Sequence, residues 1–156
     1  MNPHSAFSPG KVAVVPGAAG GIGLAASKKF ASLGMRVCMA DIDSDKLEQA
    51  AADVSTSAGS SETIAIRTDV SQLDELQRLR DQTFKAYGQV DVLMNNAGIC
   101  RPPLSWTESE TWQHVTRATW WVALHGVPTS APHSTAHAPP RWILTNSRQH
   151  ILTPPH

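Results

Sequence analysis

The stretch Val12–Gly23, VAVVPGAAGGIG, decides the fold of this chain. A short β-branched apolar run leads into a cluster of glycines, and the residues after the cluster have helical spacing. A strand, a tight glycine turn and a helix in this order suit a phosphate-binding loop, because the helix N-terminus presents oriented N–H groups to an anion. No Lys-Ser/Thr pair follows the glycines, which excludes a Walker loop. A glycine cluster alone is equally typical of an ordinary turn, so its context decides.

That context is an alternation of strands and helices. The predicted strands are Lys11–Val15, Arg36–Ala40, Thr63–Arg67 and Val90–Met94. Helices are predicted from Ile22 to Leu33, from Ser44 to before Gly59, and from Ser71 to before Gly88. Because strands that alternate with helices form right-handed crossovers, the predicted fold class is α/β, with a Rossmann-like doubly wound parallel sheet.

An acidic residue, Asp41, ends the second predicted strand. A carboxylate about twenty residues after such a loop binds the ribose hydroxyls of a dinucleotide. The same charge repels a 2′-phosphate, and the loop contains no Arg or Lys to attract one. The sequence therefore favours NAD over NADP as cofactor. In an alternative interpretation, Asp41 belongs to DIDSD as an acid before the next helix.

Three motifs together resemble the short-chain dehydrogenase/reductase family. PGAAGGIG is similar to the family's Thr-Gly-x-x-x-Gly-x-Gly loop, with Pro16 in place of the Thr. The TDV at Thr68–Val70 resembles the family's adenine-contacting Asp-Val. YGQVDVLMNNAG at Tyr87–Gly98 matches its fourth strand and Asn-Asn-Ala-Gly turn. The resemblance covers roughly residues 10 to 100 and implies hydride transfer between an alcohol or ketone and a nicotinamide cofactor.

The resemblance also implies a role for individual residues. The pyrophosphate would be lined by Gly17, Gly21, Ile22 and Gly23. The adenosine ribose would be held by Asp41 with Ile42, and the adenine would be bordered by Asp69 and Val70. The ribose on the nicotinamide side would be bordered by Asn96, Ala97 and Gly98. Tyr87 falls at a structural aromatic position and is predicted to pack in the core.

The resemblance also implies a set of catalytic groups, and the sequence lacks the most important of them. The family uses a Tyr, a Lys four residues later, a Ser and an Asn. The single tyrosine is Tyr87, the residue four positions on is Asp91, and no Tyr-x-x-x-Lys occurs in the sequence. Alignment places Thr119 at the Asn position and Ser147 one residue before the Ser position. Thr119 and Ser147 are positional candidates only, no catalytic residue is assigned, and activity is expected to be impaired.

The composition changes toward the C-terminus. All 13 acidic residues precede Thr111, whereas from Gly126 onward the chain holds six of its 11 prolines and four of its 7 histidines. We therefore expect an N-terminal tail at 1–10, an incomplete Rossmann-type domain at 11–126, and a divergent, irregular C-terminal segment at 127–156. Trp142–Thr145 is predicted as one more short strand. The sheet is expected to be truncated, with the outer edge of the fourth strand bare.

Two other groups of side chains suggest a metal site and a nucleophile–base pair. His133 and His137 have helical metal-ligand spacing, but prolines flank them and no third ligand is evident, so no metal is expected. Ser147 and His150 could pair as nucleophile and base, yet no acid follows Glu110 in the sequence.

The bulk properties indicate a globular protein. The formal net charge is +0 and the charged fraction 17%, so neither nucleic acid nor a membrane surface is an expected partner. No apolar run approaches the length of a membrane span, and no secretory signal is visible. Cys38 and Cys100 fit two free thiols in a reducing compartment, so a cytoplasmic location is expected.

Three functions remain open at this point. One is an NAD-dependent oxidoreductase acting on an alcohol or ketone. Another is a cofactor-binding remnant without turnover, from a truncated or altered-frame product. The third is an interaction module that pairs with a full-length relative through unpaired sheet edges. Homo- or hetero-oligomers are compatible with each.

Overall fold

The computed structural model describes residues 5–58, 62–98 and 142–145. The strands are β1 (Val12–Pro16), β2 (Arg36–Asp41), β3 (Thr63–Arg67), β4 (Val92–Asn95) and β5 (Trp142–Thr145). The helices are α1 (Gly21–Ser32), α2 (Ser44–Ala58) and α3 (Leu73–Tyr87), preceded by a 3-10 turn at Ser5–Phe7. All paired strands are parallel, in the order β3-β2-β1-β4-β5. The predicted α/β fold with a doubly wound parallel sheet is confirmed.

The fifth strand corrects one expectation. Trp142–Thr145 pairs with β4 over its whole length, from Val92↔Trp142 to Asn95↔Thr145. The outer edge of β4, which was expected to be bare, is therefore paired with the backbone of β5. The WILT run, predicted as one more short strand, has the strand conformation expected for it.

Several boundaries differ from the sequence prediction by one or two residues. β4 begins at Val92 and not at Val90. The carboxylate of Asp91, the residue before β4, accepts the Val12 N–H at 2.9 Å and so takes the place of a backbone acceptor there. α3 begins at Leu73 and not at Ser71, because the residues before it form a side-chain-stabilised turn.

Pro16 is the last residue of β1, and its backbone nitrogen faces β4. Arg36 N–H donates to the Lys11 carbonyl at 2.8 Å, so odd-numbered β1 residues bond to β2 and even-numbered ones face β4. Val12 agrees, since its carbonyl accepts from Asp91 N–H at 2.9 Å. The N–H that Pro16 lacks would therefore point toward β4. The register pairs of β1 with β4 are Ala13↔Val92 and Val14↔Leu93, before Pro16 is reached.

Two apolar clusters cover the two faces of the sheet. α1 and α2 pack on one face, where the largest buried side chains include Met35, Met39 and Leu47. α3 packs on the other face through Leu76 and Leu79. The helical apolar spacing of α2 in the sequence predicts a buried stripe of Leu47, Ala50, Ala51 and Val54, and these residues are buried or partly buried.

The apolar spacing of α1 in the sequence includes Ile22, Ala25, Ala26, Phe30 and Leu33, which predicts a buried Ile22. That prediction is wrong for Ile22, which is 58% exposed. Gly23, Ser27, Phe30 and Ala31 are buried instead. Small residues at Gly23 and Ser27 let the helix approach the strands closely, and Ser27 Oγ donates to the Gly23 carbonyl at 2.8 Å.

The first residues contact the core. Ala6 is buried among the residues that α1 covers, and Phe7 stacks on Phe30 with ring centroids 6.1 Å apart. Gly10 N–H donates to the Gly34 carbonyl at 2.9 Å. Residues 6–10, assigned to a tail from the sequence, thus contact α1 and the turn that follows it.

Tyr87 has the structural role predicted for it. Its ring is buried beneath the Arg36 guanidinium, 5.2 Å from the ring centroid, and its hydroxyl donates to the Glu62 carbonyl at 3.1 Å. Burial raises the pKa of the Tyr87 hydroxyl above its usual value. The phenol joins α3 to the β2–β3 side of the sheet.

Candidate cofactor site

A cavity of about 670 Å³ lies at the carboxyl ends of the central strands. β1 lies between β2 and β4, so the chain order reverses there, and parallel α/β sheets bind ligands at such a switch point. The lining residues come from four loops and are Gly17, Gly20, Gly21, Ile22, Asp41, Ile42, Thr68, Asp69, Val70, Ser71, Asn96, Ala97 and Gly98. All the predicted cofactor residues except Gly23 therefore surround one cavity.

The glycine loop closes one side of the cavity. Gly17 and Gly21 have φ of 74° and 53°, a region that side chains other than glycine rarely adopt. Asn96 Nδ2 donates to the carbonyls of Pro16 at 3.1 Å and Gly17 at 3.0 Å, which ties the loop to the end of β4. Gly20, the N-cap of α1, offers no side chain to the first-turn amides. Those amides can therefore serve an anionic ligand.

Gly23 lies beneath the loop and not on the cavity wall. A Cβ added there would be 2.1 Å from the Gly17 carbonyl oxygen and 2.6 Å from Asn96 Nδ2. Gly23 thus permits close packing of α1 against the loop. It therefore lies behind the glycine loop and not among the residues that line the cavity, where the resemblance implied a pyrophosphate contact.

Asp41 faces the glycine loop from the end of β2. Its Oδ2 accepts the Ala19 N–H at 3.0 Å and its Oδ1 accepts the Asp43 N–H at 3.3 Å. The cap of α2 is Asp43, whose Oδ1 accepts the Lys46 N–H at 3.2 Å. A hydrogen bond from the Lys46 side chain lowers the pKa of Asp43. Asp43 thus caps α2, whereas Asp41 accepts an N–H from the glycine loop and one from the turn before α2 and lies on the cavity wall.

The loop after β3 forms the other side. Thr68 N–H donates to the Asp41 carbonyl at 2.8 Å, which joins this loop to β2. Asp69 Oδ1 accepts both the N–H of Ser71 at 2.9 Å and its Oγ–H at 2.7 Å. Three further residues, Gly20, Thr68 and Ser71, line the cavity without a predicted role. Gly20 and Thr68 lie within the quoted motifs, and Ser71 directly follows one.

The remaining predicted groups lie outside the described residues. They are the positional candidates Thr119 and Ser147, the histidines His133, His137 and His150, and Cys100. Within residues 5–58, 62–98 and 142–145, no group of three or more His, Cys, Asp or Glu side chains could hold a metal ion. In the same ranges, no helix has the length and apolar character that crossing a membrane requires.

Comparison with known proteins agrees with this geometry. The profile of the family described as short chain dehydrogenase matches residues 11–141. A 1-deoxy-11-beta-hydroxypentalenate dehydrogenase of Streptomyces exfoliatus is 42% identical over 92 residues, which is 59% of this chain and 33% of that protein.

Solved structures are similar over a comparable region. A short chain dehydrogenase/reductase from Burkholderia phymatum in complex with NAD superposes with a TM-score of 0.66 at 36% identity, covering 77% of this chain and 42% of its own. The L-sorbose reductase of Gluconobacter frateurii, complexed with NADPH and L-sorbose, has a TM-score of 0.67 at 27% identity, covering 76% and 46%.

The matched region covers less than half of each of these proteins. The chain spans about a third of the length of the Streptomyces exfoliatus relative. The family profile covers residues 11–141, which is most of the sequence. This chain belongs to the short-chain dehydrogenase/reductase family.

Proposed function

We propose that this chain binds NAD(H) in the cavity at the ends of β1, β2, β3 and β4, in preference to NADP(H). The observation that carries the proposal is the charge of the cavity wall. Among the described residues that line it, Asp41 and Asp69 are acidic and none is Lys or Arg. A 2′-phosphate placed beside Asp41 would meet a like charge without a compensating cation.

The residues present fit a dinucleotide. A cavity of about 670 Å³ is within the range of small-molecule sites, and Gly20 and Gly21 have open space where a Cβ would project. Ile22 and Ile42 are each 58% exposed on its lining, an arrangement that a flat apolar ring or a sugar would cover. The N-terminus of α1 supplies the positive end for a pyrophosphate.

Each end of the cavity would then bind one part of the cofactor. Asp41 would accept the adenosine ribose hydroxyls while its Oδ2 keeps the Ala19 N–H bond that holds the loop. Asp69 and Val70 would border the adenine, and Asn96 to Gly98 the ribose on the nicotinamide side. When bound, the nicotinamide ring would supply a hydride acceptor or donor for an alcohol or ketone.

We further propose that these 156 residues do not by themselves turn over an alcohol or ketone. Hydride transfer needs a proton to move at the substrate oxygen. The single tyrosine, Tyr87, is only 8% exposed and has its hydroxyl on the Glu62 carbonyl. Burial raises its pKa, so this phenol cannot replace the acid/base that the family uses.

The test measures cofactor binding and turnover separately. Titration with NADH and NADPH, followed by nicotinamide fluorescence, should give at least tenfold tighter binding of NADH, about 1.4 kcal/mol. Asp41→Asn keeps an acceptor for the Ala19 N–H but removes the negative charge. It should therefore reduce the ratio of the NADH affinity to the NADPH affinity. Equal affinities in the wild-type chain, or a ratio that Asp41→Asn leaves unchanged, would overturn the NAD preference. Turnover of any alcohol or ketone by the chain would overturn the second proposal.

A further inference from the structure

Glu75 contacts the adenine side of the cavity from outside it. It lies in the first turn of α3 and is not one of the lining residues, yet its Oε2 accepts the Asp69 N–H at 2.6 Å. Asp69 is the second of four consecutive residues, 68–71, that line the cavity. The carboxylate therefore holds the backbone of the loop at the residue whose side chain faces the site.

Two arginines hold the Glu75 carboxylate in place. Arg67 Nη1, at the end of β3, donates to its Oε1 at 2.6 Å. Arg78 Nη2, one turn along α3, is 3.5 Å from its Oε2 and also donates to the Arg67 carbonyl at 3.2 Å. The Glu75 side chain is 15% exposed and its bond to the Asp69 N–H is partly buried, whereas the Arg67 side chain is 48% exposed. Both bonds are charge-assisted, and such hydrogen bonds are stronger than neutral ones. The Asp69 N–H, followed by Arg67, lowers the pKa of Glu75.

The loop is thus fixed at two adjacent backbone amides by two different elements. Thr68 N–H donates to the carbonyl of Asp41 on β2, and Asp69 N–H donates to Glu75 on α3. With the backbone so placed, the Asp69 carboxylate closes the turn through Ser71. Loss of Glu75 would leave one of the two attachments and free the half of the loop that borders the adenine.

We propose that Glu75 is a positioning residue for adenine recognition, acting through the Asp69 amide to hold residues 68–71 in the binding-competent arrangement. This inference rests on the proposed function, because it assigns the adenine to this side of the cavity. If removal of Glu75 leaves that arrangement populated at 10–20%, the apparent affinity falls by about fivefold to tenfold.

The experiment compares three variants of the full chain. Glu75→Ala removes the acceptor, Glu75→Gln keeps one carbonyl oxygen for the Asp69 N–H, and Asp74→Ala removes an exposed carboxylate from the same turn that makes none of these bonds. AMP and NADH affinities are measured by calorimetry and fluorescence, and amide exchange of the ligand-free chain by NMR. Near-UV CD checks that each variant is folded.

We expect Glu75→Ala to weaken AMP and NADH by the same factor, about fivefold to tenfold, and to speed exchange at Asp69. Glu75→Gln should recover most of the affinity, and Asp74→Ala should match the wild type. Unchanged exchange at Asp69 in Glu75→Ala, or faster exchange with wild-type AMP affinity, would overturn the inference. A wild-type chain that binds neither AMP nor NADH would overturn the proposed function and the adenine assignment, while the exchange measurement would still decide whether Glu75 holds the loop.

Discussion

Replacing Gly23 by alanine is the sharpest perturbation of the glycine loop. The new Cβ would lie 2.1 Å from the Gly17 oxygen and 2.8 Å from the Gly17 carbonyl carbon. Ordinary contacts begin near 3.4 Å, so loop and helix must separate by more than about 1 Å. The nearest of the obstructing atoms, the Gly17 oxygen, is backbone and cannot rotate away as a flexible side chain can.

The magnitude follows from two opposing effects. Overpacking costs about 1–3 kcal/mol, and a contact this short against backbone belongs at the upper end. Alanine regains up to about 1 kcal/mol of helix propensity over glycine. The net loss of unfolding free energy is then about 2 kcal/mol, which lowers the Tm of a chain of this size by about 4–8 °C. Displacement of Gly17 should also weaken NADH by about tenfold or more.

The assay is thermal unfolding followed by CD, with NADH titration below the transition. Gly20→Ser is the matched control for stability, because nothing lies within 4 Å of a Cβ at Gly20 and serine is a good N-cap residue. Its Tm should stay within about 2 °C of the wild type. A Gly23→Ala variant with the wild-type Tm and NADH affinity would refute the close-packing argument.

Two further predictions concern stability. Burial raises the pKa of Cys38 from 9.0 to about 12, so its contribution to stability is complete below pH 9 and lost as pH rises toward 12, at up to about 1.4 kcal/mol per pH unit. Denaturant unfolding between pH 8 and 11 should show a shallower decline for Cys38→Ala than for the wild type; parallel curves would contradict this. Asp91→Asn replaces by an amide the carboxylate that accepts from Lys11 Nζ and Val12 N–H, both at 2.9 Å. It should lower the free energy of unfolding by about 1–3 kcal/mol. In the same unfolding assay the exposed Asp81→Asn should cost less than about 0.5 kcal/mol, and equal losses would show that the burial of Asp91 is unimportant.

The elements of the fold could be predicted because their signals are local. The apolar run of β1, the glycines after it and the apolar stripe of α2 are each read within about fifteen residues. Even the WILT strand was predicted from its own four residues and lies where it completes the sheet. Asp41 was inferred from its spacing after the glycine loop, and Asp69 and Asn96 from the family resemblance. All three line one cavity, because parallel strands bring their carboxyl ends to one edge.

The errors occurred where a residue's role depends on a neighbour that is distant in sequence. Ile22 fitted the apolar period of α1 but is exposed on the cavity lining, because the helix meets the loop through Gly23. Glu75 lies in no motif. Its role depends on two hydrogen bonds that its carboxylate accepts, one from the Asp69 N–H and one from the Arg67 guanidinium.

The sequence by itself determined the strand and helix pattern, the family, and the set of residues that meet at the strand ends. Its periodicity and motif spacing are properties of the chain that need no three-dimensional contact to be read. Only the tertiary structure decided which glycine lines the cavity and which one packs beneath it, and which carboxylate caps α2 while another faces the ligand. Those roles depend on differences of about an ångström between groups from separate elements, and hydrogen bonds and steric contacts change steeply over that distance.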